Sequence, residues 1–320
     1  MDSTSLAQLS NQSIYVAMIV ITGAMLAFAA SWAGARARRV AAADRAAVLV
    51  GAGAADATEA TAVPESAEMP RGRRAANIGM ALTWLGFGFL VLGVVLRGVW
   101  AGRVPWGNMY EFSITSAVGI LAVFLGFSIK RDVRWLGIYV TTVVLLTLGL
   151  AVTVLYTEAA QLVPALKSYW LMIHVSAAII CGGAFTIAAG VTIAYLIQAR
   201  RLRRTPEGEE PPASRLPSAD RLELLNYKIL AFAFPLWTFA VVAGAIWAES
   251  AWGRYWGWDP KETWAFITWV VYAAYLHARS TAGWRGRRAA WISLVGFACF
   301  IINYFGVNLF AHGLHSYSGL

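Results

Sequence analysis

The stretch that decides the fold is SYWLMIHVSAAIICGGAFTIAAGVTIAYLIQA, residues 168–199, which contains no charged side chain. A helix of about 20 apolar residues crosses the roughly 30 Å hydrocarbon core of a bilayer. Membrane β-barrels need alternating apolar and polar residues, and this pattern is absent here. The sequence therefore predicts an all-α, polytopic integral membrane protein with eight transmembrane helices. The other seven uncharged runs that reach or approach spanning length cover 3–35, 75–96, 112–129, 135–157, 229–248, 263–278 and 289–320.

Composition excludes an ordinary water-soluble enzyme and a disordered chain. Of the 320 residues, 59% are hydrophobic and only 13% are charged, whereas a soluble domain carries about 25% charged residues. Cys181 and Cys299 each lie in an apolar run with no second cysteine nearby. This spacing argues against a disulfide framework and against a CxxC thiol site.

The basic residues predict the orientation of the helices. If the N-terminus lies outside and the helices alternate, 21 of the 26 Lys and Arg residues fall in inner segments. Cytoplasmic loops carry such an excess, so we expect the N-terminus and the C-terminus both outside. The net charge of +9 is then a topology signal, and we expect no nucleic-acid partner. The five basic residues left outside are Arg97, Arg103, Lys167, Arg254 and Lys261.

The predicted outer loop between helices six and seven, WAESAWGRYWGWDPKETW (247–264), holds five tryptophans and Tyr255. An interfacial aromatic belt is the alternative explanation, but a belt accounts for one or two tryptophans per helix end. If residues 252–256 are helical, Trp252, Tyr255 and Trp256 share one face. This density favours an aromatic platform for a planar, apolar ligand.

The tetrapeptide Asp-Pro-Lys-Glu at 259–262 predicts the start of helix seven. Asp259 suits the N-cap, Pro260 the first helical position, and Glu262 the third position of a capping box. Lys261 and Arg254 can in addition pair with carboxylates on a bound molecule.

Histidines mark two candidate sites. His174, near the outer end of helix five, and His315, after helix eight, are two outer imidazoles beside the tryptophan-rich loop, and such a pair suits axial ligation of a heme iron. His312 would add a third imidazole, which keeps zinc open as the alternative. His277 lies 17 residues beyond Pro260, or about 26 Å along a helix, near the inner face. A histidine inside a membrane is a functional candidate, although it can also hydrogen-bond across helices.

These residues resemble a known family. WGRYWGWDPKETW (252–264) is similar to the WWD signature of heme-handling membrane proteins of cytochrome c maturation. The closer resemblance is to the CcsA or ResC type, also labelled CcsB, a subunit of the system II cytochrome c synthase. Supporting segments are VPWGNMYEF (104–112), SYWLMIHVSAA (168–178), YAAYLHAR (272–279) and NYFGVNLFAHGLHSY (303–317).

The resemblance implies a role for each matching residue. His174 and His315 match the two outer ligands of the heme iron, and His277 matches a transmembrane histidine that holds heme earlier, with its second ligand from the partner. Lys261 and Arg254 are possible propionate contacts, His312 matches no family position, and no catalytic residue is assigned. The external heme-binding surface comprises Trp252, Tyr255, Trp256, Trp258, Asp259 and Trp264.

The resemblance also implies the function. We expect a subunit that carries heme b, its ligand and substrate, to the outer face for thioether attachment to a CxxCH apocytochrome c. It would be an enzyme only within a heme–cytochrome c ligase (holocytochrome c synthase) complex, with a ResB-like partner, in the bacterial cytoplasmic membrane. A heme exporter without ligation activity and a heme-containing redox membrane subunit are the alternatives.

The expected domain organisation has three parts. Residues 1–35 form the outer N-terminus and first transmembrane helix, and residues 36–74 form a cytoplasmic mobile linker of mixed charge. Residues 75–320 form the heme-handling membrane domain, with the outer WWD loop at 247–264 and a cytoplasmic loop at 198–228.

Overall fold

The computed structural model describes residues 3–51, 71–159, 166–206, 209, 214–281, 283–311 and 313–315. Throughout these ranges the regular structure is helical, which confirms the all-α prediction. A short 3₁₀ turn, Arg134–Leu136, precedes α4, and a π-helical turn, Ile302–Gly306, joins α8 to α9. The helices are α1 (Ser3–Gly51), α2 (Arg71–Ala101), α3 (Met109–Lys130), α4 (Gly137–Thr153), α5 (Tyr169–Leu202), α6 (Ala219–Trp252), α7 (Pro260–Ser280), α8 (Arg287–Ile301) and α9 (Val307–Phe310).

Seven helical segments within the described residues are long and apolar enough to cross a membrane. The predicted seventh span belongs to α7, which has 21 residues but is not among them, because its charged ends and its Thr, Trp, Tyr and His residues lower its mean hydropathy. α7 packs between α6 and α8 as the eighth long helix. The seven qualifying segments are Thr4–Ala33, Gly72–Ala101, Met109–Lys130, Arg134–Thr153, Tyr169–Leu202, Ala219–Trp252 and Arg287–Phe310.

Several helices are longer than the apolar runs that predicted them. α1 continues to Gly51 and enters the predicted linker 36–74, because the Ala-rich sequence there favours helix without needing lipid. The predicted loop 198–228 shortens to 203–218, since α5 ends at Leu202 and α6 begins at Ala219. Residues 52–70 and most of 207–213 lie outside the described residues, so the mobility of these segments stays a prediction.

Helix α5 forms the centre of the bundle. In its most apolar stretch 83% of the residues are buried, against at most 44% in any other span, because α3, α6 and α8 all pack on it. Gly183 permits the close crossing with α3, since a Cβ there would lie 2.8 Å from the carbonyl oxygen of Gly119. Small residues at such crossings are typical of membrane helices.

Helices α1 and α2 form an antiparallel pair held by a glycine stripe. Gly79, Gly86 and Gly93 recur every seven residues on α2, so they share one face. A Cβ at any of them would lie within 3 Å of a bulky α1 side chain. The facing side chains are Phe28, Ile21 and Ile14, respectively.

Candidate functional site

Asp259 caps helix α7 as the sequence predicts. Its Oδ1 accepts a hydrogen bond from the Lys261 N–H at 3.2 Å, and the Glu262 carboxylate accepts one from the Asp259 N–H at 3.1 Å. Pro260 occupies the first helical position. The complete capping box fixes the start of α7 and the direction of the Asp259 carboxylate.

The same carboxylate holds the segment that follows α9. Asp259 Oδ1 accepts a hydrogen bond from Nδ1 of His315 at 2.9 Å, and Oδ2 accepts one from the Leu314 N–H at 2.8 Å. A side chain at Gly313 would collide with this carboxylate. Burial acts to raise the Asp259 pKa, but the hydrogen bonds from His315 and from the Leu314 and Lys261 backbone outweigh burial and lower the pKa to about 2. Asp259 is therefore an anion that accepts, and His315 donates through Nδ1.

His174 is held in the same tautomer by a different acceptor. Its Nδ1 lies 2.7 Å from the carbonyl oxygen of Ala240 on α6. A carbonyl only accepts, so Nδ1 carries the proton and Nε2 the lone pair. Gly244 makes room for this imidazole, since a Cβ there would lie 2.8 Å from the ring. In the neutral form of each imidazole the lone pair is therefore on Nε2, the atom through which it can bind a metal.

Two tryptophans join the histidines into one cluster. The Trp247 ring stacks at 14° to His174, with centroids 6.2 Å apart, and lies edge-on to His315 at 5.4 Å. Trp252 lies 4.7 Å from His315 and 4.8 Å from Trp247. The structure thus brings together two histidines that are 141 positions apart in the sequence.

His174, His315 and Trp247 of this cluster line a cavity of about 1150 Å³, its open mouth included. Cofactor clefts usually enclose about 300 to 1,000 Å³ and are mainly apolar with a few polar groups. Both histidines and Lys261 provide polar groups here. The aromatic lining comprises Trp106, Phe112, Trp237, Trp247, Tyr255, Trp256, Phe300 and Tyr304.

Two buried polar atoms on the cavity residues have no hydrogen-bond partner among the described residues. They are Nε1 of Trp106 and Oδ1 of Asn303. Buried polar groups are nearly always paired, and an exception calls for an explanation such as a missing ligand. The imidazoles, the flat aromatic walls and these polar atoms suit a planar molecule with iron at its centre and polar groups at its edge.

The two predicted cationic contacts differ. Arg254 forms an ion pair with Glu262 at 3.3 Å, and Glu262 also accepts the Gly257 N–H at 2.8 Å. Lys261 lines the cavity and forms no ion pair within the described part of the chain. Lys261 is therefore the better placed of the two for an anionic group in the cavity.

Residues 252–256 do not form the helix on which the predicted aromatic platform depended. α6 ends at Trp252, because Gly253 adopts a left-handed φ of 69°. Tyr255 and Trp256 nevertheless line the cavity from a non-helical segment. Trp258, which is 65% exposed, and Trp264 do not line the cavity, and neither does Trp252, which packs behind it on Trp247 and His315.

His277 lies at the opposite end of α7 from the cavity residues. It is on the exposed face of the helix, whereas Tyr275 and Ala278 are buried. Its backbone carbonyl accepts hydrogen bonds from Ser280 and Thr281, and its imidazole forms no hydrogen bond among the described residues. His312 lies outside the described residues, and no group of three or more His, Cys, Asp or Glu that could hold a metal is found in the described ranges.

An ionic cluster that the sequence pattern did not predict fixes the loop that carries Trp106. The fully buried Glu111 accepts hydrogen bonds from Arg97 at 3.0 Å, from Arg103 at 2.7 Å and from the Gly107 N–H at 2.8 Å. Arg97 is itself fully buried. Two arginines predicted only as outer basic residues thus position a cavity wall.

Trp247 and Asn303 were also absent from the predicted site. Trp247 belongs to the tryptophan-rich stretch, and its spacing from Gly244 and Ala240 along one helix face could have placed it beside His174. Asn303 lies in the π-helical turn, a feature that often marks functional sites. An asparagine inside the apolar run 289–320 was the available signal.

The comparisons with known proteins identify the family of the chain. The model of the cytochrome c assembly protein family matches residues 106–315. Similar curated proteins include the cytochrome c biogenesis protein CcsA of Synechococcus elongatus, at 37% identity over 71% of this chain and 84% of the relative. CcsA of Guillardia theta is 35% identical over 74% and 86%, respectively.

A solved structure is similar in fold. The cytochrome c heme lyase CcmF superposes with a TM-score of 0.63 at 15% identity, over 94% of this chain and 46% of that one. This chain therefore spans about half of the CcmF length. The family match runs from Trp106 to His315 and so includes both cavity histidines and the capping box. The chain belongs to the cytochrome c assembly protein family.

Proposed function

We propose that this chain is the membrane subunit of a cytochrome c synthase, which carries heme to the outer face and holds it for covalent attachment. The observation that carries the proposal is the pair His174 and His315. They present the same tautomer, with the Nε2 lone pair, at one aromatic cavity. Two imidazoles that each coordinate through Nε2 would suit the iron of heme b.

Each cavity residue has a distinct part in this proposal. The histidines ligate the iron, and the aromatic walls pack on the porphyrin. Lys261 pairs with a propionate, and the Trp106 N–H can donate at the porphyrin edge. The chain contributes by positioning heme and peptide, which can supply much of the rate of a reaction between two bound partners.

The acceptor in this proposal is an apocytochrome c with a CxxCH motif. Each cysteine thiol adds across a heme vinyl group, so that sulfur bonds to one vinyl carbon and the proton ends on the other. The addition is balanced without an oxidant or a nucleophilic residue of this chain. The names of the CcsA relatives and of the CcmF heme lyase support this choice of reaction.

His277 would hold heme before it reaches the cavity. Its exposed position on α7 suits a site shared with another chain, and we propose that a ResB-like membrane subunit supplies the second ligand. The basic inner segments support placing His277 toward the cytoplasm and the cavity on the outer face of a bacterial cytoplasmic membrane.

Co-expression with a ResB-like subunit and a CxxCH reporter tests the proposal. We expect His174→Ala and His315→Ala each to abolish covalent heme on the reporter and to shift the Soret and α bands of the purified complex. Added imidazole should restore part of the yield, because it can occupy the vacated axial position. Thr153→Ala, at an exposed helix end away from the cavity, is the control and should keep full yield.

Three outcomes would contradict the proposal. Heme that binds normally but is never attached by the wild-type complex would indicate an exporter. Unchanged spectra in both histidine variants would remove the ligand assignment. Zinc without iron in the purified wild-type protein would show that the histidines bind zinc and that heme is not the ligand.

A further inference from the structure

A second cavity lies at the end of the bundle far from the histidines. It encloses about 760 Å³, its opening included. Three apolar spans begin or end at its wall: Thr4–Ala33, Gly72–Ala101 and Arg134–Thr153. The two 30-residue spans are about 45 Å long, which is about the thickness of a bilayer with its headgroups. Their common boundary therefore lies at the level of the lipid headgroups.

The wall of this cavity is positively charged. Arg73, Arg134 and Arg215 line it, together with the single carboxylate of Asp132. Arg134 chelates Asp132, with Nε–Oδ1 at 2.8 Å and NH2–Oδ2 at 2.6 Å, and these hydrogen bonds lower the Asp132 pKa. Three guanidinium groups against one ionised carboxylate leave a net charge of two.

The arginines come from separate parts of the chain, and hydrogen bonds hold Arg134 and Arg215 in place. Arg215 precedes α6, and its NH1 donates to the carbonyl and hydroxyl oxygens of Ser31 on α1 at 2.6 and 2.7 Å. Gly72 makes this approach possible, since a side chain there would collide with the Arg215 guanidinium. Arg73 is exposed in the first turn of α2. Such a convergence of cations is costly to assemble unless an anion balances it.

Two indoles complete the cavity. Trp32 and Trp135 line it and are half-buried. Tryptophan favours the headgroup level, where its ring contacts glycerol and upper acyl carbons while its N–H meets polar groups. The cavity thus combines fixed guanidinium groups with the side chain that is most typical of a lipid interface.

We propose that this cavity binds the headgroup of an anionic glycerophospholipid. Guanidinium groups donate charge-assisted hydrogen bonds to phosphate oxygens, and basic pockets between transmembrane helices are typical sites for anionic headgroups. The bound lipid would tie the α1–α2 pair to α4 and to the segment before α6. This site is independent of the heme cavity, so it stands whether or not the proposed function is correct.

Native mass spectrometry of the purified full-length chain tests the proposal. Phosphatidylglycerol and phosphatidylcholine with the same acyl chains are the probes. We expect one phosphatidylglycerol to stay bound under conditions that remove phosphatidylcholine, whose choline cation opposes the positive wall. Each arginine near the headgroup is worth roughly a fivefold change in affinity, so Arg73→Gln and Arg215→Gln should each weaken binding by about that factor.

Arg131→Gln is the matched control. Arg131 is exposed at the same end of the bundle and outside the cavity, so this variant removes one charge without touching the wall. We expect its lipid affinity to equal that of the wild type. Arg73→Gln keeps the Arg215 contacts with Ser31, so it gives an answer even if Arg215→Gln fails to fold.

Four outcomes would overturn the lipid site. In the first, the protein retains the two lipids equally, and in the second, Arg131→Gln and Arg73→Gln lose lipid affinity equally. In the third, millimolar inorganic phosphate displaces the lipid, and in the fourth, hemin displaces it stoichiometrically. The third would indicate a site for free phosphate, and the fourth a site for a tetrapyrrole.

Discussion

At the scale of single residues, the two cavity histidines differ in what holds them. His174 donates to a backbone carbonyl, whereas His315 donates to the carboxylate of Asp259. An anionic acceptor makes an imidazole more basic and a stronger ligand. In the proposed heme site, His315 is therefore the stronger electron donor to the iron of the two histidines.

Asp259→Asn tests this difference. Asparagine keeps the N-cap of α7 but removes the negative charge behind His315. Loss of such a partner typically costs 10- to 100-fold in metal affinity, so we expect heme affinity to fall by about that factor and the heme reduction potential to rise. Absorbance titration and potentiometry measure both.

The sign of the pH effect follows from the Asp259 pKa. Since this pKa is lowered from 3.8 to about 2, the stabilisation by the carboxylate is complete above the ordinary value and is lost only as pH falls toward 2. The contact should therefore persist at neutral and mildly acidic pH.

Glu249→Gln is the control for Asp259→Asn, because Glu249 is an exposed acidic residue on α6. An equal loss of heme affinity in Glu249→Gln would refute the role of Asp259.

Lys261 gives a second prediction at this scale. A hydrogen bond to a charged group is worth about 1.5 to 3 kcal/mol, so Lys261→Gln should weaken heme binding by roughly ten- to a hundredfold. Heme dimethyl ester lacks propionate charge and should bind wild type and variant equally. If the variant weakens both ligands alike, Lys261 supports the cavity wall instead of pairing with a propionate.

Some residues of the candidate site could be predicted from the sequence, but their contacts could not. His174 and His315 follow from the resemblance and the topology, and Asp259 from its capping pattern. Their mutual contacts do not, because Asp259 and His315 are 56 positions apart and only the folded chain defines their distance. The ion pair between Arg254 and Glu262 is likewise a product of the turn at Gly253.

At the scale of elements, apolar length predicted the helices but not all of their ends. A run of uncharged residues indicates which part of a helix lies in lipid. The backbone hydrogen bonds of the helix can continue beyond that part into water. α1 and α5 therefore exceed their predicted spans. The end of α6 depends instead on one residue, Gly253, whose left-handed conformation carries no hydrophobic signal.

The glycine stripe of α2 provides a test of helix packing. A Cβ at Gly86 would lie 2.6 Å from Cγ1 of Ile21, whereas nothing lies within 4 Å of a Cβ at Gly88. Overpacking typically costs about 1 to 3 kcal/mol, so Gly86→Ala should lower the thermal unfolding midpoint in detergent. Gly88→Ala should keep or raise the midpoint, because alanine favours helix. Equal effects of the two substitutions would show that the stripe does not set the α1–α2 contact.

At the scale of the whole molecule, the two ends of the bundle differ in charge and in content. One end carries the cavity that His174, His315 and Lys261 line, and the other carries the basic cavity, with Arg134 and Arg215. Basic residues concentrate on the cytoplasmic side. This asymmetry predicts that the cavity of His174 and His315 faces outward, as the proposed delivery of heme to an exported apocytochrome requires.

Cysteine labelling can decide the orientation with little background, because the native Cys181 and Cys299 are both buried. Ser250, at the cavity end of α6, and Ser280, at the far end of α7, are exposed serines whose hydroxyls bond only to a backbone carbonyl of their own helix. In intact cells a membrane-impermeant maleimide should label Ser250→Cys and leave Ser280→Cys unlabelled. Permeabilisation should expose both positions equally, which confirms that each thiol is reactive. The reverse pattern would place the cavity in the cytoplasm, where His174 and His315 could not present heme to a cytochrome on the outer face.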